Sequence, residues 1–386
     1  MDKKLKIAIS INLDWPLRRY YDFYEGIQSY ANKYTEWTLV WDHYPQNILK
    51  DCKTEPYYDG IIGRIKHSAY NEAKRLNVPV VNSWFSSDIK DINSVFADHE
   101  KAGEIAAEHL LKRGFRNFAN IDNRNEIVGK TFYKGFSDAI KPYGCKSKRY
   151  LISRKCTDSE EQWLKFHQDF KEWIKEWQLP IGIVCSTAAI APRIITRCLE
   201  NNLRIPEDVA IVTSGNDQNY YEGISPKVSA VDIDFFKNGY ECARMLDRKL
   251  KGEELPEKTL LIEPRCFIAR ESTDTYAVND PMVKTALRYI ADNSDKNIQI
   301  IDVVDQVPIS RRSLEIRFNN EIGHTMVDEI NRLRIMALKR LLLESDTKMN
   351  KLYRAAGFSS ALHMRRVFSK YTGMTPGQFR KANKDI

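Results

Sequence analysis

Nine short runs of strand-forming residues punctuate the first 270 positions, and none follows them. They are "LKIAISI" (5–11), "WTLVW" (37–41), "GIIG" (60–63), "VPVVNS" (78–83), "SVFAD" (94–98), "NFANI" (117–121), "IGIVCS" (181–186), "DVAIVTS" (208–214) and "KVSAVDI" (227–233). Helical patterns lie between many of them, at 20–34, 100–114, 131–144, 159–177 and 191–203. In the second of these, Ala102, Ile105, Ala106, His109 and Leu110 share a face and Gly114 stops the helix. Strands alternating with helices imply βαβ units, a parallel sheet and helices on both of its faces. Two such halves fit in about 270 residues. Open α/β sheets bind ligands beyond the carboxyl ends of their strands, so the loops after the strands are where a ligand is sought.

The polar stretch "ARESTDTYAVNDP" ends the pattern. Residues 1–272 are expected to form the α/β domain, 273–281 a linker, and 282–386 a helical domain. Charge divides at the same place. Residues 281–386 hold 19 Lys/Arg against 11 Asp/Glu, whereas the first 280 balance at 41 of each. Residues 347–384 carry nine Lys/Arg and no acid. A neutral large domain followed by a basic small one points to a polyanion partner for the second alone.

Two helix-turn-helix patterns occupy the tail. In the first, 300–323, a short helix carrying Val303, Val304 and Val307 is broken by Pro308. Ser310 then caps a helix that places Leu314 and Phe318 on one face and ends at Gly323. In the second, 349–373, Gly357 supplies the turn and Ser360 the cap. Met364, Val367, Phe368 and Tyr371 then form an expected buried stripe, with Leu362 and Arg366 opposite it. The apolar run 325–345 suits a connecting helix. Recognition helices held about 34 Å apart would reach successive major grooves.

Other classes find little support. No apolar run approaches the length of a membrane span, and the amino-terminal run reads as a strand rather than a signal peptide, so a cytoplasmic location is expected. The seven cysteines are scattered without a C-x-x-C pair and are expected to be reduced and mostly buried. The seven histidines show no metal spacing, and no G-x-S-x-G, P-loop or dinucleotide fingerprint occurs. No catalytic residue, metal or cofactor is expected.

The tail resembles the DNA-binding domain of the AraC/XylS family of bacterial transcription regulators. The residues that carry the likeness are Ser310-Arg311-Arg312-Ser313-Leu314-Glu315 with Phe318 and Gly323, Arg334-Ile335 with Leu341-Leu342, and Gly357-Phe358-Ser359-Ser360 with Arg366, Phe368, Lys370, Gly373, Thr375-Pro376 and Arg380. The segments 96–121, 182–217 and 225–253 resemble the periplasmic-binding-protein-like effector domain of LacI-type repressors. The joint layout is that of the xylose operon regulator type. The resemblance implies a two-lobed α/β periplasmic-binding-protein-like domain followed by an all-α double helix-turn-helix domain. It implies base reading by Arg312, Glu315 and Ile316 in the first unit and by Ala361, Leu362 and Arg366 in the second. Arg311, His363, Arg365 and Lys370 suit phosphate contacts, with Ser310 and Ser360 at the caps.

For the large domain the resemblance implies a small saccharide between the lobes, a pentose such as xylose by default. Two positions depart from the family pattern: Ala188 stands where an acid is common, and Phe132 where an arginine is. Aromatic side chains and a few placed polar groups suit a sugar. The loops after the strands offer Asp14, Trp15, Arg18, Tyr20, Trp84, Phe85 and Arg124. Asp98 either contacts ligand or caps the helix that follows it. The family's glycine-x-aspartate turn corresponds to Gly215-Asn216-Asp217. Expected partners are duplex DNA, a saccharide effector, a second copy of the chain and, for an activator, RNA polymerase. The rival readings are a sugar-binding transport protein, in which the tail has no place, and a DNA-repair alkyl transferase, whose Pro-Cys-His-Arg motif is absent around Cys266.

Overall fold

A computed structural model describes every residue except 1–3, 13–16, 125, 154–158, 221–222, 256, 279, 345–350 and 385–386. The chain divides into two compact units, Met1–Thr275 and Tyr276–Ile386. The expected linker is therefore shared between them. Thr273 is buried in the first unit, where its hydroxyl lies 2.7 Å from that of Ser229, and Val278 is buried in the core of the second.

The first unit is built in two lobes. One begins with β1 (Lys6–Ser10), α1 (Arg18–Tyr34), β2 (Thr38–Trp41), α2 (Gln46–Leu49), β3 (Gly60–Gly63), α3 (His67–Arg75), β4 (Val80–Asn82) and β5 (Asn93–Ala97). The chain then enters the other lobe with α4 (His99–Lys112), β6 (Asn117–Asn123), α5 (Ile127–Ile140), β7 (Ser147–Ile152), α6 (Glu160–Lys175), β8 (Ile181–Cys185), α7 (Ala191–Glu200), β9 (Val209–Ser214) and β10 (Ser229–Asp232). It returns with α8 (Phe235–Leu250) and β11 (Thr259–Ile262), and crosses a third time to β12 (Cys266–Ile268). The first sheet runs β2-β1-β3-β4-β5-β11, all parallel. The second runs β7-β6-β8-β9-β10-β12, parallel except for the antiparallel edge strand β12.

Central strands β3, β8 and β9 are buried along their whole length, which is why their sequences are unbroken apolar or small runs rather than alternating ones. Each lobe uses a pair of glycines where two helices cross. A Cβ on Gly239 of α8 would stand 1.9 Å from the Phe23 carbonyl of α1, and one on Gly135 of α5 would stand 1.9 Å from the Glu100 carbonyl of α4. These crossings bring backbones closer than any side chain permits. Phe132, at the position expected to bear an arginine, is fully buried near the second crossing, and Ala188 is buried as well, so neither offers a polar group.

Of the six described cysteines, all free, Cys185, Cys198 and Cys242 are buried, whereas Cys52 and Cys145 are half-buried and Cys266 is exposed. The expectation of mostly buried thiols thus holds for half of them; Cys156 lies outside the described residues.

The second unit is helical: α9 (Pro281–Asn293), α10 (Ile300–Val304), α11 (Arg311–Ile322), α12 (Met326–Glu344), α13 (Leu352–Ala355), α14 (Ala361–Thr372) and α15 (Pro376–Lys384). It has two cores. Leu314 and Phe318 of α11 pack with α9, α10 and the start of α12; Met364, Val367 and Phe368 of α14 pack with the later part of α12. Arg334, 5 % exposed, anchors the middle of α12 by donating to the Lys296 and Ile298 carbonyls, each at 3.0 Å.

Candidate nucleic-acid interface and effector cleft

Helices α11 and α14 are built alike. Ser310 accepts from the Ser313 amide at 3.3 Å and Ser360 from the His363 amide at 3.1 Å, each satisfying an otherwise unpaired donor of the first turn. Gly323 and Gly373 close the two helices at φ +83° and +71°. Buried Leu314 and Phe318 fix one face of α11, leaving Arg311, Arg312, Glu315 and Ile316 exposed. Arg311 and Glu315 pair with each other at 2.8 Å, so Glu315 is occupied in the free protein, while Arg312 has no acidic partner among the described residues.

In α14, Leu362 is 79 % exposed, Arg365, Arg366 and Lys370 are exposed, and Ala361 is half-exposed. Neither Arg365 nor Arg366 has an acidic partner among the described residues. His363, expected at a phosphate, stands half-buried beside the cap. Its ring packs edge-on to Phe358 and shares a hydrogen bond with Ser359, and burial together with Arg366 and Arg334 lowers its pKa. Tyr371, expected in the buried stripe, is 40 % exposed; its hydroxyl donates to Asp328 at 2.9 Å, joining the end of α14 to the start of α12. The stripe ends one turn early because the core beneath it ends at Phe368.

In the first unit, loops from the two lobes meet where their strands end. The Arg19 amide, at the start of α1, donates to Asp217 beyond β9 at 3.3 Å, and Arg19 Nε lies 3.8 Å from the other carboxylate oxygen. Phe85, beyond β4, packs edge-on to His99 at the start of α4, and to Phe96. Tyr20 accepts from Arg64 at 3.2 Å, and the Arg64 guanidinium also lies 5.1 Å from the centre of the Trp84 ring. Tyr20, Trp84, Phe85 and Asp217 are thus brought to one cleft.

Other expected ligand residues stand differently. Arg18 is largely exposed and pairs with Asp22 at 3.4 Å, while the next residue, Arg19, takes the position in the cleft. Asp98 accepts from the Lys101 amide at 2.8 Å, so the capping alternative is the one observed. Asn216 accepts from Arg270 at 2.6 Å within its own lobe. Arg124 is exposed in the turn after β6. Asp14 and Trp15 lie outside the described residues.

Residue-by-residue sequence reading missed Arg19, Arg64 and a buried polar group beneath the cleft. There Asp122, wholly buried, accepts from Arg149 at 2.7 Å; burial raises its pKa, opposed by Ser186 and Arg149. The signal was available: "NFANIDN" puts Asn120, Asp122 and Asn123 inside a central strand, where apolar residues are the rule. Buried Ser214 Oγ and His99 Nδ1 have no hydrogen-bond partner among the described residues. Burial, aided by Arg19, holds the His99 imidazole down at about 4.

The periplasmic binding protein-like domain family matches residues 107–273, and a helix-turn-helix domain family matches residues 303–382. The xylose operon regulatory protein of Escherichia coli (strain K12) is 26% identical over 336 residues, 85% of this chain and 85% of that protein. The chain is a two-domain regulator that joins a periplasmic binding protein-like domain to an AraC-type helix-turn-helix domain. The regulator is also similar to the xylose operon regulatory protein of Haemophilus influenzae, at 29% identity over 57% of each chain. Among solved structures, a xylose-binding transcription activator superposes on the regulator with a TM-score of 0.70 at 23% identity, covering 99% of both chains. At that identity the likeness establishes the fold of the regulator. No described helix of the regulator is long and apolar enough to cross a membrane.

Proposed function

We propose that the regulator binds specific duplex DNA through α11 and α14 and that a small saccharide, held where its two lobes meet, controls that binding. The observation that carries this reading is the matched construction of the two helices. Each has a serine cap, a buried face fixed to the domain and an opposite face of exposed Arg and apolar side chains, as a helix entering a major groove needs. Arg312 and Ile316 in α11, with Ala361, Leu362 and Arg366 in α14, are assigned to base edges. Glu315 joins them once Arg311 turns from it to phosphate, the role also given to Arg365 and Lys370.

Tyr20, Trp84, Phe85 and Asp217 are assigned to the saccharide, together with Arg19. Aromatic faces cover the apolar side of a sugar ring while the polar groups fix its orientation. A ligand that binds the closed arrangement more tightly than the open one shifts the population toward closure. The regulator acts as a cytoplasmic homodimer, matching two DNA-binding domains to a repeated operator. The relatives named for the xylose operon make D-xylose the first sugar to test.

Gel-shift titration of the full chain against random duplex and against fragments upstream of neighbouring sugar-utilisation genes tests the reading. Selective binding at about 0.15 M salt, altered by a saccharide, is expected. Equal affinity for all duplexes, with and without sugars, overturns it.

A further inference from the structure

The guanidinium of Arg64 sits at the carboxyl end of β3, in the cleft, with no carboxylate partner among the described residues. Its partners are the Tyr20 hydroxyl at 3.2 Å and the face of Trp84 at 5.1 Å. Neither carries a full negative charge. Neighbouring arginines are arranged otherwise: Arg19 has Asp217, Arg18 has Asp22, and Arg149 has Asp122. Arg64 is half-buried and directly follows strand β3, whose glycines and isoleucines are all buried, so its origin is held at the strand end. Tyr20 also lies beneath the Arg19 guanidinium, 5.4 Å from ring centre to carbon, so one phenol stands between two cations.

Physical chemistry makes this arrangement costly for a neutral ligand. Closing a cleft over a guanidinium that has no acidic partner among the described residues removes water from a charge, and a neutral ligand returns no opposite charge. A guanidinium has five N–H donors in a flat fork, and one is used by Tyr20; the remaining donors match a carboxylate or phosphate in two parallel bonds. The Trp84 ring lies against the guanidinium, which holds the fork in place. Ser214 Oγ and His99 Nδ1, on the other lobe and without a hydrogen-bond partner among the described residues, supply the neutral hydrogen-bonding groups that hydroxyls need.

We propose that the effector is an anionic saccharide, a sugar acid or a sugar phosphate, whose negative group is held by Arg64 over the Tyr20–Trp84 floor. The proposal rests on the saccharide reading above and narrows its ligand class.

Thermal-shift and calorimetric titration of the full chain with D-xylose, D-glucose, D-glucuronate, D-galacturonate and glucose 6-phosphate, at equal millimolar concentrations, tests it. At least one anionic sugar is expected to raise the melting temperature, with a Kd about tenfold or more below that of its neutral counterpart. The uronates and the phosphate ester distinguish the two sources of negative charge. Arg64→Gln is expected to raise the Kd of the anionic sugar about 10- to 100-fold, and Arg64→Lys by less, because it keeps the charge but loses the fork. Circular dichroism and the melting temperature without sugar report that both variants fold. Stronger protection by a neutral sugar than by any anionic one overturns the proposal and leaves the saccharide reading intact. So does an anionic sugar whose Kd is unchanged in a folded Arg64→Gln protein. Silence across the whole panel removes both.

Discussion

The amide of Arg19 donates to the carboxylate of Asp217 at 3.3 Å, across 198 positions of chain and from one lobe to the other. Asp217 is almost wholly buried, so the bond is shielded from competing water. Asp217→Ala removes an acceptor that joins the lobes and leaves the Arg19 amide and guanidinium unpaired. Saccharide affinity is expected to fall about tenfold or more, at roughly 1–3 kcal/mol for an unsatisfied buried donor. Calorimetry checks the affinity, and unchanged DNA binding without sugar separates the effect from misfolding.

Arg366 projects from α14 with no acidic partner among the described residues. If it reads a base, Arg366→Ala relaxes preference at one base pair by about 1–3 kcal/mol while other positions keep theirs. Binding measured on a set of single-base operator variants decides the point. A uniform loss over all variants would make it a phosphate contact.

Gly357 turns the chain between α13 and α14 at φ +73°, and a Cβ there would stand 2.2 Å from the Ser294 carbonyl oxygen. Gly357→Ala therefore combines left-handed strain of about 1–2 kcal/mol with a backbone collision. Loss of DNA binding is expected, with the melting of the binding-protein-like domain unchanged; two-probe thermal unfolding checks this.

Two imidazoles make the first unit acid-sensitive. Burial, together with Arg19 and against Asp98, holds His99 at about 4, and burial with Arg113 and Lys112 holds His109 at about 3, against an ordinary value of 6.5. Both values are depressed in the folded state. Their contribution is complete above pH 6.5 and is lost as pH falls toward 4 and 3, because the unfolded chain takes up protons that the folded one does not. For His99 alone this amounts to about 3 kcal/mol. Denaturant titrations between pH 7 and 4 are expected to show that slope, and His99→Gln to reduce it.

Much of this architecture is legible from sequence because it rests on local rules. Full burial of central strands writes apolar runs, and helix ends write Ser310, Ser360, Gly323 and Gly373. What stayed hidden is non-local. Nothing in the order of elements shows that α8 and β11 return to the first lobe, since that is decided by which sheet edge is free. Arg18 and Arg19 are neighbours of like chemistry, and the helical phase of α1 alone sends one to Asp22 and the other to Asp217. Arg64 follows a strand with no surrounding motif, and its meaning comes from Tyr20 and Trp84, which lie far from it in sequence. Tyr371 kept the right spacing, but the core had already ended.

The three passages of chain between the lobes, at Asp98, at 233–234 and at 263–265, bear on how such a regulator diversifies. Neither lobe is one uninterrupted stretch, so no single recombination event can exchange one lobe for another and leave its sheet whole. The tail, by contrast, is contiguous from Tyr276 onward and can be traded as a cassette. Operator choice can therefore change in one genetic step, whereas effector choice must drift by individual substitutions in the loops of the cleft.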